Sequence, residues 1–152
     1  MKYPTVRQNT RARVEVSGER IPDSWFEGFA DGSSPSLSLM ELRIGSTPVS
    51  LTRRRWAVTK RGRSLRLVNA ERKYTCTATG RGKGYVLARD GVRIKVAQKG
   101  HGKKKYQSVD VNGPADPVDI SIAVVFTGAN RANLTLGGAI RSAVARILDM
   151  FS

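Results

Sequence analysis

One cysteine, one histidine and only twelve acidic residues among 152 are the scarcest chemistry in this chain, and each scarcity closes a class of function. Cys76 alone cannot form an internal disulfide, and with His101 as the one histidine no ligand pair has metal spacing. Disulfide-rich secreted folds and zinc modules are thereby excluded. No window reaches the roughly 20 apolar residues of a membrane-spanning helix. Nor does any apolar run after Met1 to Gln8 suit a signal sequence. The expected location is the cytoplasm, with a peripheral position at a membrane surface open to it.

Enzyme chemistry is equally thin. His101 lies between glycines, next to Lys103-Lys104-Lys105, with no neighbouring carboxylate or nucleophile to orient it as a base. Gly80-Arg81-Gly82-Lys83-Gly84 lacks the order in which a lysine is followed by a hydroxyl ligand for magnesium, so a nucleotide hydrolase is not indicated. That cluster reads as a hairpin tip, with a cationic backbone nest gripping a phosphate as the alternative. Asp116 and Asp119 stand three residues apart at a helix start, where compensation of the helix dipole accounts for them. Cys76 alternates with apolar strand positions and reads as a buried, inert thiol. The expectation is a protein that is not an enzyme and carries no cofactor.

What is abundant is positive charge, and it is concentrated. Twenty-seven Lys and Arg give a net charge of +15. Between Arg53 and Lys105 there are 18 of them against two acids, Glu71 and Asp90, a net of +16, whereas the rest of the chain sums to −1. Ordinary solubility asks for a net charge of only about 2 to 8 in a small domain. Such an excess points to an anionic partner.

The same segment carries the clearest strand signals. Val92-Arg93-Ile94-Lys95-Val96 and Leu65-Arg66-Leu67 alternate apolar and cationic residues with the period of two of a half-buried strand. Tyr74, Cys76 and Ala78 alternate with Thr75, Thr77 and Thr79, and Arg54-Arg55-Trp56-Ala57-Val58-Thr59 reads as a further strand. Between them lie turns, Asp90-Gly91 being the strongest hairpin signal. No gap is long enough for a crossover helix, so the sheet is antiparallel.

Taken whole, 152 residues with 39% hydrophobic and 26% charged make one globular domain. Its parts are an irregular segment over 1–35, a β meander over 36–111, an apolar helix over 117–127 and an amphipathic helix over 134–151. Residues 19–35 mix acids, aromatics, Gly and Pro without a period and read as a long loop or short helix packed through Trp25 and Phe26. Arg11 to Val16 and Leu37 to Ile44 can each supply an edge strand. Asp116 and Pro117 suit an N-cap and a first helical position. Val118 to Phe126 has almost no charge on any face, so as a helix it must be surrounded by protein. The fold class is mainly β: an antiparallel meander forming a barrel-like sheet around or against an apolar helix, closed by a C-terminal amphipathic helix. Ile140 and Ile147 mark that last helix as a possible self-association surface.

A basic antiparallel meander that leads through Gly113-Pro114-Ala115-Asp116-Pro117 into a nearly uncharged helix resembles the tubby C-terminal-like superfamily, which includes phospholipid scramblases and LURP-one-related proteins. Arg54-Arg55-Trp56, Arg72-Lys73-Tyr74, Tyr106 to Val111 and the run Val118 to Phe126 carry the resemblance, over about residues 36 to 127. It implies a closed twelve-stranded barrel threaded by a hydrophobic helix, with acidic phospholipid, phosphoinositide included, as ligand. The chain departs from that pattern in being short of twelve strands and in adding 19–35 and 134–151. A smaller open barrel, or a sheet with two packing helices, is the alternative.

The expected anion-binding residues are Arg66, Arg93 and Lys95 on strand faces, with Arg61, Arg63, Arg81, Lys83, Lys99, Lys103, Lys104 and Lys105 in the connections. Three partners compete for them. An anionic membrane gains on the order of 1 kcal/mol per basic residue near the lipid, with Trp56 and Tyr85 as interfacial contacts. A nucleic acid would be held through phosphates, with Tyr74, Tyr85 or Tyr106 stacking on bases, although no RNP, KH or helix-turn-helix signature is present. The third class is a structural or assembly subunit that meets a polyanion through the same basic face. Phospholipid is the first expectation.

Overall fold

The computed structural model describes residues 11–31, 34–35, 40–53, 64–79, 84–99 and 106–128. Ten strands come first: β1 Arg11–Gly18, β2 Ile21–Asp31, β3 Ser34–Pro35, β4 Glu41–Ile44, β5 Thr47–Arg53, β6 Leu65–Asn69, β7 Arg72–Thr79, β8 Gly84–Arg89, β9 Val92–Lys99 and β10 Tyr106–Asn112. Helix α1, Pro117–Val125, and a 3-10 turn, Phe126–Gly128, follow. The sheet is a nine-strand meander in which each strand pairs antiparallel with the next, the short β3 hanging on β2. Among the described residues β1 and β10 are not paired, so the sheet is open rather than a closed barrel.

Alternation decides the two faces. In β6 the pattern buried, exposed, buried, exposed, buried follows Leu65, Arg66, Leu67, Val68, Asn69, and β9 repeats it from Val92 to Val96. Register then aligns like with like: Leu65, Cys76, Leu87 and Ile94 form one inner row, while Arg66, Thr75, Ala88 and Arg93 form the outer row beside it. The inner rows and α1 make a single core containing Phe26, Leu42, Leu67, Tyr74, Tyr85, Ile94, Ile122 and Phe126. No residue from Val118 to Phe126 is exposed. The helix without a polar face lies in the concavity of the sheet, touching β1, β2 and β4 on one side and β9 on the other.

Residues 19–35 correct the irregular reading, for they hold an 11-residue strand paired with β1 and β4. Its period is disguised by where the polar and aromatic residues go. Trp25 faces outward, its ring beneath the guanidinium of Arg13 at 4.2 Å and Arg43 at 5.9 Å, whereas Ser24 faces inward and hydrogen-bonds to Ser121 of the helix. An outward tryptophan and an inward serine invert the expected polarity of a half-buried strand. The strand expected over 54–59 and the helix over 134–151 lie outside the described residues.

Chain reversal between β10 and α1 depends on Gly113. Its φ is +92°, and a Cβ there would run into the carbonyl oxygen of Gly91 in the β8–β9 turn. Asp90-Gly91 does form the hairpin expected of it, with Gly91 at φ +69°. The β6–β7 turn uses Ala70 at φ +51°, where an L side chain is strained by about 1 to 2 kcal/mol. Replacing Ala70 by Gly is expected to relieve that strain against the larger unfolded-state entropy of glycine, a net gain of about 0.5 to 1 kcal/mol in urea unfolding.

Candidate anion-binding face

Asp119 holds the helix to the sheet. It sits at the third position of α1, is 0% exposed, and accepts from Nε of Arg89 at 2.8 Å and Nη2 of Arg89 at 2.7 Å. Tyr74 Oη donates to it at 3.0 Å, and the Asp116 backbone N–H does so at 3.0 Å. Asp116 in turn caps the Asp119 N–H at 3.0 Å and pairs with Arg72. The capping box and Pro117 at the first turn are local features. The clamp by Arg89 and Tyr74 is a tertiary one.

Burial disfavours the charged form of Asp119, but hydrogen bonds from Arg89, the Asp116 N–H and Tyr74, with the charge of Arg89, outweigh it and hold the carboxyl below its ordinary value. Asp116 behaves alike: burial opposes ionisation, and the Asp119 N–H and Arg72 more than reverse it. Burial pushes the Tyr74 hydroxyl up, and its bond to Asp119 adds to that. The cluster is therefore saturated. Two cations of the basic segment, Arg72 and Arg89, are spent on internal acids, and neither was among the expected anion ligands.

The outer face divides by charge balance. Across β1, β2 and β4 each cation meets an acid: Arg11 with Glu27 at 2.9 Å, Arg13 with Glu15 at 2.7 Å, Arg43 with Glu41 at 3.4 Å. Across β6 to β9 the pattern changes. Arg66, Lys73, Arg93, Lys95 and Lys99 are all exposed, and none has an ion-pair partner among the described residues. Asp110, opposite Lys95 on β10, is the one acid in register with them.

Arg66 and Arg93 are in the same cross-strand row, separated by Thr75 and Ala88, which puts their backbones about 14 Å apart at three strand spacings. Thr77, Val86 and Lys95 form the next outer row, and Thr79, Gly84 and Ala97 the one after. Between the cations the surface is thus floored by small residues. A Cβ at Gly84 would meet the Val96 carbonyl oxygen at 2.6 Å, so the floor there is tight.

Of the expected ligands, Arg66, Arg93, Lys95 and Lys99 come together on this face. Arg61, Arg63, Arg81, Lys83, Lys103, Lys104 and Lys105 lie outside the described residues, as do His101 and Trp56. The strands they join begin and end at one end of the sheet, since Arg53 pairs with Leu65, Thr79 with Gly84 and Lys99 with Tyr106. Lys73 is a member that sequence reasoning missed. Carrying the alternation of Tyr74, Cys76 and Ala78 one residue back places it on the Thr75 face.

Tyr74 is 2% exposed and Tyr85 0%, which corrects their expected roles in stacking on bases and in touching lipid. Both hydroxyls bind the helix instead, Tyr74 at Asp119 and Tyr85 at the Ala123 carbonyl. Cys76 is buried, as expected, and no helix among the described residues is long and apolar enough to cross a membrane.

Replacing Asp119 by Asn should cost about 3 kcal/mol, the lower end for a broken buried pair because a fifth of the Arg89 side chain stays exposed. Since the folded-state pKa values of Asp116 and Asp119 are depressed, their stabilisation is complete above about pH 5 and is lost as pH falls through and below their ordinary value of 3.8. Urea midpoints measured from pH 6 downward should drop for the parent protein and drop less steeply for Asp119→Asn.

Comparison with family models, curated proteins and solved structures gives no match for this chain.

Proposed function

We propose that this protein is a non-catalytic binding module for anionic phospholipid headgroups, docking through the outer face of β6 to β9. The observation that carries the reading is the set Arg66, Lys73, Arg93, Lys95 and Lys99, exposed and without ion-pair partners among the described residues, on the same sheet whose strands β1, β2 and β4 pair each of their cations with an acid. Leaving like charges together destabilises the fold unless an anion joins them, so their grouping argues for a ligand of opposite sign.

Two features favour lipid over nucleic acid. On this face the positions between the cations are Thr, Ala, Gly and Val, and of the three tyrosines expected to stack on bases Tyr74 and Tyr85 face the core, which leaves Tyr106, exposed and opposite Lys99, at the rim. Single-stranded nucleic acid draws about 1 to 3 kcal/mol per base from stacking on successive rings, and this face offers one exposed tyrosine at its rim among the described residues. A helix held in the concavity of a curved antiparallel meander also supports the resemblance to the tubby C-terminal-like superfamily, from which the lipid expectation comes.

Co-sedimentation at physiological salt, with neutral vesicles and with vesicles containing phosphatidylserine or a phosphoinositide, tests the reading. Binding to anionic vesicles alone is the expected result. Neutralising Arg93 and Lys95 together to Gln should remove about 2 kcal/mol of attraction, roughly a thirtyfold loss in partitioning. No binding to anionic vesicles, with tight and steeply salt-dependent binding to an oligonucleotide, would replace lipid by nucleic acid as the partner.

A further inference from the structure

The two edges of the open sheet are unlike. On β1, the inward residues are half-buried and covered by the end of the helix, a Cβ at Gly128 falling 2.7 Å from Val14. Its outward residues are Arg11, Arg13 and Glu15, held in ion pairs. Charged, covered edges resist pairing with another chain.

Among the described residues β10 has none of these protections. Tyr106 is 61% exposed, Val109 44% and Val111 48%, so three of the four exposed large hydrophobics belong to this one strand. Val109 and Val111 pair with the buried Val96 and Ile94 and so face inward, yet both stay exposed. The chain leaving β10 turns away from its free edge, Gly113 closing on Gly91 and the Pro114 carbonyl accepting from Arg89. The strand contains one charge and no proline. It is a seven-residue edge with its backbone open on one side among the described residues.

We propose that the free edge of β10 pairs antiparallel with the same edge of a second copy, continuing one sheet through a two-fold axis at Val109. The sequence of the strand is self-complementary in that register. Val109 meets Val109, Gln107 meets Val111, Ser108 meets Asp110 and Tyr106 meets Asn112, so no like charges stand opposite each other. Lys95 of the two copies would be about 16 Å apart, three strand spacings across and two residues along, beyond the ~8 Å screening length at physiological salt. Each dimer covers two copies of Val109 and Val111 that a single chain leaves in water. Because both partners are strongly cationic, raising the salt strengthens this association, the reverse of its effect on polyanion binding.

Sedimentation velocity of the full chain over a range of concentrations, without lipid or nucleic acid, should give a monomer–dimer equilibrium that shifts toward dimer as salt rises. Val109→Cys should oxidise to a covalent dimer, since opposed residues bring Cβ atoms within about 5 Å, whereas Gln107→Cys, about 14 Å from its twin in this register, should not. Val109→Lys with Val111→Lys should weaken the dimer roughly tenfold or more with the circular dichroism unchanged. If that double variant fails to fold, the cysteine pair decides alone. A monomer at every concentration, a dimer that survives both lysines, or cross-linking at Gln107→Cys as ready as at Val109→Cys would overturn the proposal.

Discussion

The carboxylate of Asp119 is the constraint around which the molecule is arranged. A nine-residue helix of β-branched and small residues has weak intrinsic stability, and nothing in its own turns fastens it to a sheet. Asp119 supplies both needs at once, closing the capping box with Asp116 and receiving the fork of Arg89 and the hydroxyl of Tyr74 from β8 and β7. From this fixed end the remainder of α1 runs along the concavity, where Tyr85 binds the Ala123 carbonyl and Ser121 binds Ser24 and the Pro22 carbonyl. Those contacts reach the second and eighth strands from a single helix. The curvature of the sheet follows from the need to cover an apolar cylinder on more than one side.

That arrangement also assigns the charges. A strand can send alternate side chains only to two faces, and the concave one is filled by the helix, so Arg66, Lys73, Arg93, Lys95 and Lys99 are forced outward. Where the outward residues of the first strands include Glu15, Glu27 and Glu41, the charge is balanced locally. Beyond β5 the outward positions offer Thr, Ala and Gly in their place. One continuous sheet thus presents a neutralised half and a basic half, and the basic half is the one proposed to meet an anion.

Much of this was legible beforehand because alternation is a local property. Leu65-Arg66-Leu67 and Val92 to Val96 announce their faces within a few residues, Asp90-Gly91 its turn, and Asp116-Pro117 the start of a helix whose lack of charge requires enclosure. The failures share a cause. Trp25 and Ser24 were unreadable because each sits on the face opposite to the one its polarity suggests, stabilised by Arg13, Arg43 and Ser121 from elsewhere in the chain. Tyr74 and Tyr85 carry hydroxyls that suit a surface as well as a core. Only the carbonyl and carboxylate of a helix some forty residues later make their burial favourable.

By itself, then, the sequence determined the β meander, the enclosed helix and the sign and concentration of the charge, since these follow from short-range patterning and from composition. Tertiary structure decided which cations remain available and which are spent. Arg89 and Arg93 are equally basic and four residues apart, yet one is held against the buried Asp119 and the other stands on the outer face without an ion pair. Their difference lies in an odd or even step across a turn and in the position of a helix met thirty residues on. Coulomb energy depends on distance through space, which sequence separation does not encode.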